Sequence, residues 1–588
     1  MAVRPSSPTA GASPNVFRPA VRLAGVISAA LLLFSTLMTA DLRGAMPSLD
    51  GFFPAAAQVG TTQAVTAIGK FEPWPVQVWS DTPGLAWKVE TNKPELKVAI
   101  PADAPLGPHF VRLYNDQGAS APKCFVVTKE PQVAEVEPND TWSSPQALDS
   151  LPVSLNGRLE KSGDVDCFAV TLGRGQTLVA SVEAYVLSSP LDAVLRVVDA
   201  RGVEVSWNHD DGRTLDPFLA YTAPAAGRYV VQVFGFAYPA DSDVRFTGNA
   251  KCVYRLHLTA GPFVRHTIPL GVARHGRSHL QLVGWNLGTN DVLEFDPASL
   301  DSSAREVLLR DPRFGNAPAL PVGEGRELVE PAGEAKAGAE PRWEPPFAVT
   351  GRLDKAGEED RYRVTVKKGG LLRLELQSAA FGFPLDAWLK IENQDGKELK
   401  RADDSGGPDP AMDWTAPEDG TFVVAVGNVL HRGGPDHYYR VSVAKALPAI
   451  RVTVASDALV LDRGKTNDLK CSVQLRNGAN AKLSASLRGL PRELTEGTNA
   501  AVLPVPEKGG DVVFKLSIPA EAKPWSGPFQ IVVTEAGSGT EHRAVRELVV
   551  LGENNGVPNG FSHLLLESID QLWLTLPPAP EPKTAAAK

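Results

Sequence analysis

The chain has 588 residues, 43% of them hydrophobic, and a formal net charge of −9. That length is too great for one core and requires several domains, and its 52 glycines and 49 prolines favour turns and short strands over long helices. With no long basic run, the composition speaks against a nucleic-acid binder held by phosphate contacts.

The chain opens on a segment that reads as a secretory signal. Arg4, Arg18 and Arg22 precede the uncharged stretch Leu23 to Ala40, a positive region followed by an apolar core. The small-x-small cleavage pattern is poor, because Met38 precedes Ala40 and Arg43 precedes Ala45 at the position that should be small. Residues 1–45 are therefore a signal peptide or an uncleaved membrane anchor, either of which puts the rest of the chain outside the cytoplasm. The expected location is the periplasm, the cell surface or the medium, with the membrane touched only through this segment.

Next comes strand-rich sequence with an internal repeat. Gly157-Arg-Leu-Glu-Lys-Ser-Gly-Asp-Val-Asp166 matches Gly351-Arg-Leu-Asp-Lys-Ala-Gly-Glu-Glu-Asp360. Pro190-Leu-Asp-Ala-Val-Leu195 matches Pro384-Leu-Asp-Ala-Trp-Leu389, and Thr222-Ala-Pro224 matches Thr415-Ala-Pro417. Within each copy apolar residues alternate as in half-buried strands: Phe168, Val170 and Leu172 in the first, Tyr362, Val364 and Val366 in the second. Short strands between turn residues predict an antiparallel sandwich or jelly roll.

Glu137-Pro-Asn-Asp140, Gly163-Asp-Val-Asp166, Leu191-Asp-Ala-Val-Leu195 and Ala226-Gly-Arg-Tyr-Val-Val231 follow in the first copy. In order and spacing they resemble the bacterial pre-peptidase C-terminal (PPC) domain. The resemblance implies a compact β-sandwich of a kind usually appended to secreted enzymes. It covers 130–260 and, starting less clearly at Glu330-Pro-Ala-Gly333, 325–446. Before each copy a Pro, a Gly and an alternating strand ending in Gly resemble TIG/IPT immunoglobulin-like modules, at 51–128 and more weakly at 261–324. Residues 448–552 carry four strand candidates and read as a further immunoglobulin-like domain, and 553–588 as a C-terminal extension and disordered tail. The fold class expected is all-β, a string of jelly-roll and immunoglobulin-like sandwiches after the N-terminal segment.

Motifs for catalysis are missing. The sequence has no His-Glu-x-x-His, no Gly-x-Ser-x-Gly and no phosphate-cradling loop. His209-Asp210-Asp211 reads as a solvated turn, and Asp192 and Asp386 as structural acceptors in apolar strands. The four cysteines form no Cys-x-x-Cys pair, and a single bridge, Cys167–Cys252, stays open after export. Of Trp74, Trp79, Trp87, Trp207 and Tyr238, none can be placed on a ligand face rather than in a core.

One acidic constellation has chemical content. Glu135, Glu137, Asn139 and Asp140 crowd a short segment, and Asp164 and Asp166 join them. The resemblance to the collagen-binding modules of bacterial collagenases implies that these six hold calcium, an ion that takes six to eight oxygens. Aligning the second copy on its Glu-Pro pair puts Leu328, Glu330, Ala332, Gly333, Glu358 and Asp360 at the same places. Three of the six have no side-chain oxygen, so calcium is expected in the first copy alone. The protein is expected to be no enzyme but a binding or adhesion protein for an extracellular polysaccharide or protein. The alternative is an accessory or structural part of a secreted peptidase or hydrolase system.

Overall fold

Strands account for nearly all of the regular structure in a computed structural model that describes residues 45–211, 215–238, 245–289, 291–300, 304–331, 340–403, 409–495, 502–551 and 563–579. Helical structure among them is one four-residue α-turn, Arg492–Thr495, and three 3-10 turns. No helix of the described residues is long and apolar enough to cross a membrane. The expected signal or anchor, before residue 45, lies outside the described residues.

Five sandwiches follow one another, each with its own core. In the first, one sheet runs Ser48–Phe53, Thr62–Lys70, Glu95–Ala99, Ala86–Val89 in spatial order. The facing sheet runs Ala56–Gln58, Lys123–Thr128, Gly107–Asn115, Gln77–Ser80. Alternating side chains of both sheets meet in a core that includes Phe52, Leu96, Leu113 and Phe125. Trp87 packs edge-on against Phe125, which makes it a core residue.

The second and fourth sandwiches share one topology, the structural counterpart of the sequence repeat. In the second, one sheet is ordered Gln132–Ala134, Val153–Arg158, Val253–Thr259, Thr177–Glu183, Phe218–Thr222. Its mate is ordered Gln146–Ala147, Asp166–Leu172, Gly227–Ala237, Leu191–Val198, Glu204–Asn208. The fourth repeats both orders, beginning from Arg326–Val329 and Arg342–Trp343. Phe168, Val170 and Leu172 point into one core, and Tyr362, Val364 and Val366 into the other. Each such side chain removed from water contributes about 1.5–3 kcal/mol. The third sandwich is smaller, two three-stranded sheets around Val264, Leu280, Leu282 and Leu320.

The last sandwich runs past 552. Strand Leu572–Leu576 lies between Ala458–Val460 and Trp525–Glu535 in its larger sheet. Leu572, Leu574 and Leu576 are core residues, so these residues are part of the domain and not an extension. The first sandwich likewise begins at Ser48, ahead of 51. The cysteines are all free, Cys167 and Cys252 included. Instead, Gln232 Nε2 donates to Cys167 Sγ at 3.2 Å.

The string folds back so that its first and last sandwiches touch. Arg112, fully buried, pairs with Asp457 at 2.6 Å, and Trp79 and Tyr114 pack on Trp573 with ring centroids 5.9 and 4.6 Å apart. Breaking a buried ion pair by removing one partner costs about 3–5 kcal/mol. Along the chain, the first sandwich leans on the second through Ala56 N–H donating to Asn156 Oδ1 at 3.1 Å. The third meets the fourth in the matching way, Leu270 N–H donating to Thr350 Oγ1 at 2.8 Å. The two-module unit is thus repeated in its joints as well as its parts.

Candidate metal centre

The acidic cluster sits where the segment leading into the second sandwich crosses its edge. Gln132–Ala134 pairs in parallel with Ser154–Asn156, and Glu135 continues the contact, its N–H donating to Asn156 O at 3.1 Å. Asn139 is tied on both sides: its N–H donates to Glu137 Oε2 at 3.1 Å, and its carbonyl accepts from Cys167 N–H at 3.2 Å. On the facing turn Gly163 adopts a left-handed φ of 87°, a conformation glycine takes without strain. The turn places Asp164 just ahead of strand Asp166–Leu172.

Gly157 explains why this motif starts with glycine in both copies. A β-carbon there would overlap the ring of Tyr254. Lying across the glycine, Tyr254 donates its hydroxyl to Asp166 Oδ2 at 2.6 Å. In the second copy Tyr439 lies across Gly351 and donates to Asp360 Oδ2 at 2.6 Å.

Carboxylate oxygens of Glu135, Glu137 and Asp166 lie within 4.8 Å of one another. Asp140 and Asp164 form a second pair beside them, with the Lys161 ammonium 3.0 Å from Asp140 and 3.7 Å from Asp164. Asn139, Asp164 and Asp166 are buried. Buried polar atoms ordinarily have partners, yet Glu137 Oε1, both polar atoms of the Asn139 amide and Asp166 Oδ1 have no hydrogen-bond partner, and Asp164 Oδ1 faces only the Lys161 ammonium at 3.7 Å. Burial and the neighbouring Glu135 push the Asp166 carboxyl up to about 9, and burial pushes Glu135 up to about 7. Asp140, hydrogen-bonded to Asp164 and Lys161, is held below the usual carboxylate range. Like charges this close disfavour joint ionisation. A hard cation fits the donor set, since it would engage the orphaned oxygens and offset their charge.

The second copy is built differently at the same place. Strand pairing sets Glu327 against Ala348 as it sets Gln132 against Ser154, so Glu330 falls at the place of Glu135. Its Oε2 accepts from Arg352 N–H at 3.4 Å, as Glu135 Oε2 does from Arg158 N–H at 2.8 Å. This corrects the alignment on the Glu-Pro pairs, which put Glu330 at the place of Glu137 and Leu328 at that of Glu135. The dipeptide is a local cue, whereas the register follows the parallel strand. Ala332 and Gly333 lie outside the described residues. Where the first copy has Phe168, the second has the buried Tyr362, whose hydroxyl donates to Glu330 Oε1 at 3.1 Å and bonds Tyr439 Oη. Along Asp360–Tyr439–Tyr362–Glu330 two hydroxyl protons serve three contacts, and all three are hydrogen bonds when a third proton sits on Asp360. Burial and the Glu330 charge push the Asp360 carboxyl up to about 8.

A second cluster went unread in the sequence. Asp192, His209 and Asp210 bring ligand-type atoms within 4.8 Å of one another, with His209 Nε2 3.1 Å from Asp192 Oδ1. The signal was the hairpin register, which sets Leu195 opposite Asn208. His209 is held above its usual range, chiefly by its hydrogen bond to Asp192. Its ring is thus set against the Asp192 carboxylate rather than freely solvated in a turn. Of the flagged aromatics, Trp207 is exposed, Trp74 donates Nε1–H to Glu90 O at 2.6 Å, and Tyr238 stacks edge-on against Tyr185.

No family model matches the sequence, and no curated protein matches it. Among solved structures, the chain is similar to the pre-peptidase C-terminal domain of collagenase from Bacillus anthracis, with 13% identity over 18% of this chain and 93% of that one and a TM-score of 0.15. It is also similar to the mixed-linkage glucan utilization locus protein SGBP-B of Bacteroides ovatus, at 8% identity over 66% of this chain and 72% of that one, TM-score 0.12. A third similarity is to the alpha-2-macroglobulin of E. coli, at 10% identity over 87% of this chain and 41% of that one, TM-score 0.13.

Proposed function

We propose that the protein is an exported, non-catalytic binding protein for an extracellular polymer or protein, and that calcium braces its second sandwich. The observation that carries the calcium reading is the set of buried oxygens without a hydrogen-bond donor on Glu137, Asn139, Asp164 and Asp166. Glu135 and Asp140 would complete the oxygen shell. A cation held there ties the segment 132–140 to the turn 163–166. The same segment runs beside Asn156, whose side chain holds the first sandwich, so the cation would stiffen the joint between two modules. A rigid array of sandwiches suits a binder that must hold several contacts at fixed spacing. The test is a thermal melt of the whole chain in calcium and in chelator. Calcium should stabilise by about 2.7 kcal/mol at a hundredfold excess over Kd. An absent shift would remove calcium from the reading. A glycan and protein array probed with the whole chain tests the binding role, and silence on every spot would count against it.

A further inference from the structure

A cleft of about 920 Å³ lies where the first, second and third sandwiches meet, within the roughly 300–1,000 Å³ typical of small-ligand sites. Its floor is the outer face of the second sandwich. Ser154, His257 and Ser181 form one row across three adjacent strands, and Arg255 and Glu183 stand opposite each other beyond it. Phe263 and Phe314 contribute apolar wall.

Arg255 is only 8% exposed, and its Nε has no partner. Its one partner is Glu183, at Nη1. The fourth sandwich shows what that leaves open. The counterpart there, Arg440, gives Nη1 to Gln377 but turns its Nε and Nη2 onto the Glu327 carboxylate, at 3.0 and 2.5 Å. At the register of Glu327 the second sandwich has Gln132. Gln132 accepts from Asn156 Nδ2 and gives Arg255 nothing. Arg255 therefore takes its carboxylate, Glu183, on Nη1, where Arg440 has Gln377, and leaves open the Nε and Nη2 edge that Arg440 turns onto Glu327. His257 adds a second orphan: Nδ1 meets Ser154 Oγ at 3.0 Å, and Nε2 is buried without a partner. Glu130 and Asp311, the remaining acids of the wall, bond Thr128 and Arg313.

We infer that this cleft binds an acidic saccharide, a uronic-acid glycan, with the sugar carboxylate on the Nε and Nη2 edge of Arg255. The bidentate fork of arginine matches a carboxylate. Hydroxyls of Ser154 and Ser181, the His257 imidazole and the Glu183 carboxylate can together donate to and accept from sugar hydroxyls. An extended peptide fits less well, because all three floor strands are paired on both sides and offer no free edge for strand addition. The inference rests on the reading of the protein as a polymer binder, and names the polymer's class.

The test is calorimetric titration of the whole chain, in calcium-free buffer, with trigalacturonate, a neutral trisaccharide of the same length, and triglutamate. Trigalacturonate should bind saturably, and the other two should not. Arg255→Gln should weaken binding by roughly tenfold or more. Gln132→Glu, which restores the internal carboxylate of the fourth sandwich, should do the same, with a melting temperature no lower than that of the parent. Saturable binding that neither variant weakens would overturn the assignment, as would equal binding of triglutamate or of the neutral sugar. If trigalacturonate fails while another polymer binds on an array, the uronate assignment falls and the binding role stands. If nothing binds, both fall.

Discussion

The second and fourth sandwiches share their strand order, their core alternation and the tyrosine lying across a motif glycine. They part at one hydroxyl. With Phe168, the first copy leaves Glu135, Glu137 and Asp166 facing one another with oxygens unclaimed. With Tyr362, the second inserts a donor that bonds Glu330 and Tyr439 and closes the same ground. The arginine on the opposite sheet repeats the lesson: Arg440 is answered by Glu327, while Arg255 has only Glu183. A duplicated fold can thus close this ground in one copy, whose remaining orphans among the described residues are Asn428 and His437, while the other holds a larger set of buried polar groups without partners. Unsatisfied buried groups are costly, so their concentration in one copy is what the proposed calcium and ligand sites would offset.

The comparison can be broken first at what the copies share. Replacing Gly157 or Gly351 by Ala would force a β-carbon into Tyr254 or Tyr439. Each should cost roughly 1–3 kcal/mol or more, as overpacking does, and by similar amounts in chemical denaturation of the whole chain. A large difference between the two would show that the tyrosines are not equivalent.

At the point of divergence, Tyr362→Phe removes the donor that serves Glu330. It should destabilise by about 1–3 kcal/mol, the cost of a stranded buried acceptor, without creating strong calcium binding, because the corrected register puts Ala332 and Ala335 at the places of Glu137 and Asp140 and leaves too few oxygens for a shell. The reverse change, Phe168→Tyr, should remove calcium-induced stabilisation while altering the melt in chelator by only about 1 kcal/mol. A calcium response that survives Phe168→Tyr would separate the cation from this ground.

The comparison also extends to pH. Glu135, Asp166 and Asp360 are pushed up to about 7, 9 and 8. Raised carboxyls favour the folded state while protonated, so in chelator stability should be fully present below the ordinary carboxylate range and fall as pH climbs through 7 to 9. Saturating calcium, which needs the ionised groups, should abolish the contribution of Glu135 and Asp166 and leave that of Asp360. Melts at pH 5.5 and 8.5, with and without calcium, check this. A chelated protein that gains stability towards pH 8.5 would reverse the sign.

Much of this was legible in the sequence. The alternation of Phe168, Val170 and Leu172 against Thr171 announced strands, and the paired Gly-Arg-Leu motifs announced two copies. The six oxygen-bearing residues also emerged, since they cluster along the chain and in one turn. What stayed hidden depends on partners distant in sequence. Phe168 and Tyr362 look like interchangeable core aromatics until Glu330 is seen beside the hydroxyl. Strand Leu572–Leu576 comes directly behind strand His563–Ile569, but the two join different sheets, and its place between Ala458–Val460 and Trp525–Glu535 rests on long-range pairing that its own residues do not specify. The ion pair of Arg112 with Asp457 joins residues 345 positions apart, and no local pattern encodes such a contact.

The most direct measurement is a calorimetric calcium titration of the whole chain beside two isosteric double variants, Asp140→Asn with Asp166→Asn, and Glu330→Gln with Asp360→Asn. The expected result is saturable binding in the parent, its loss in the first variant and its retention in the second. Absence of saturable binding in the parent, or equal loss in both variants, would contradict a calcium site confined to the first copy.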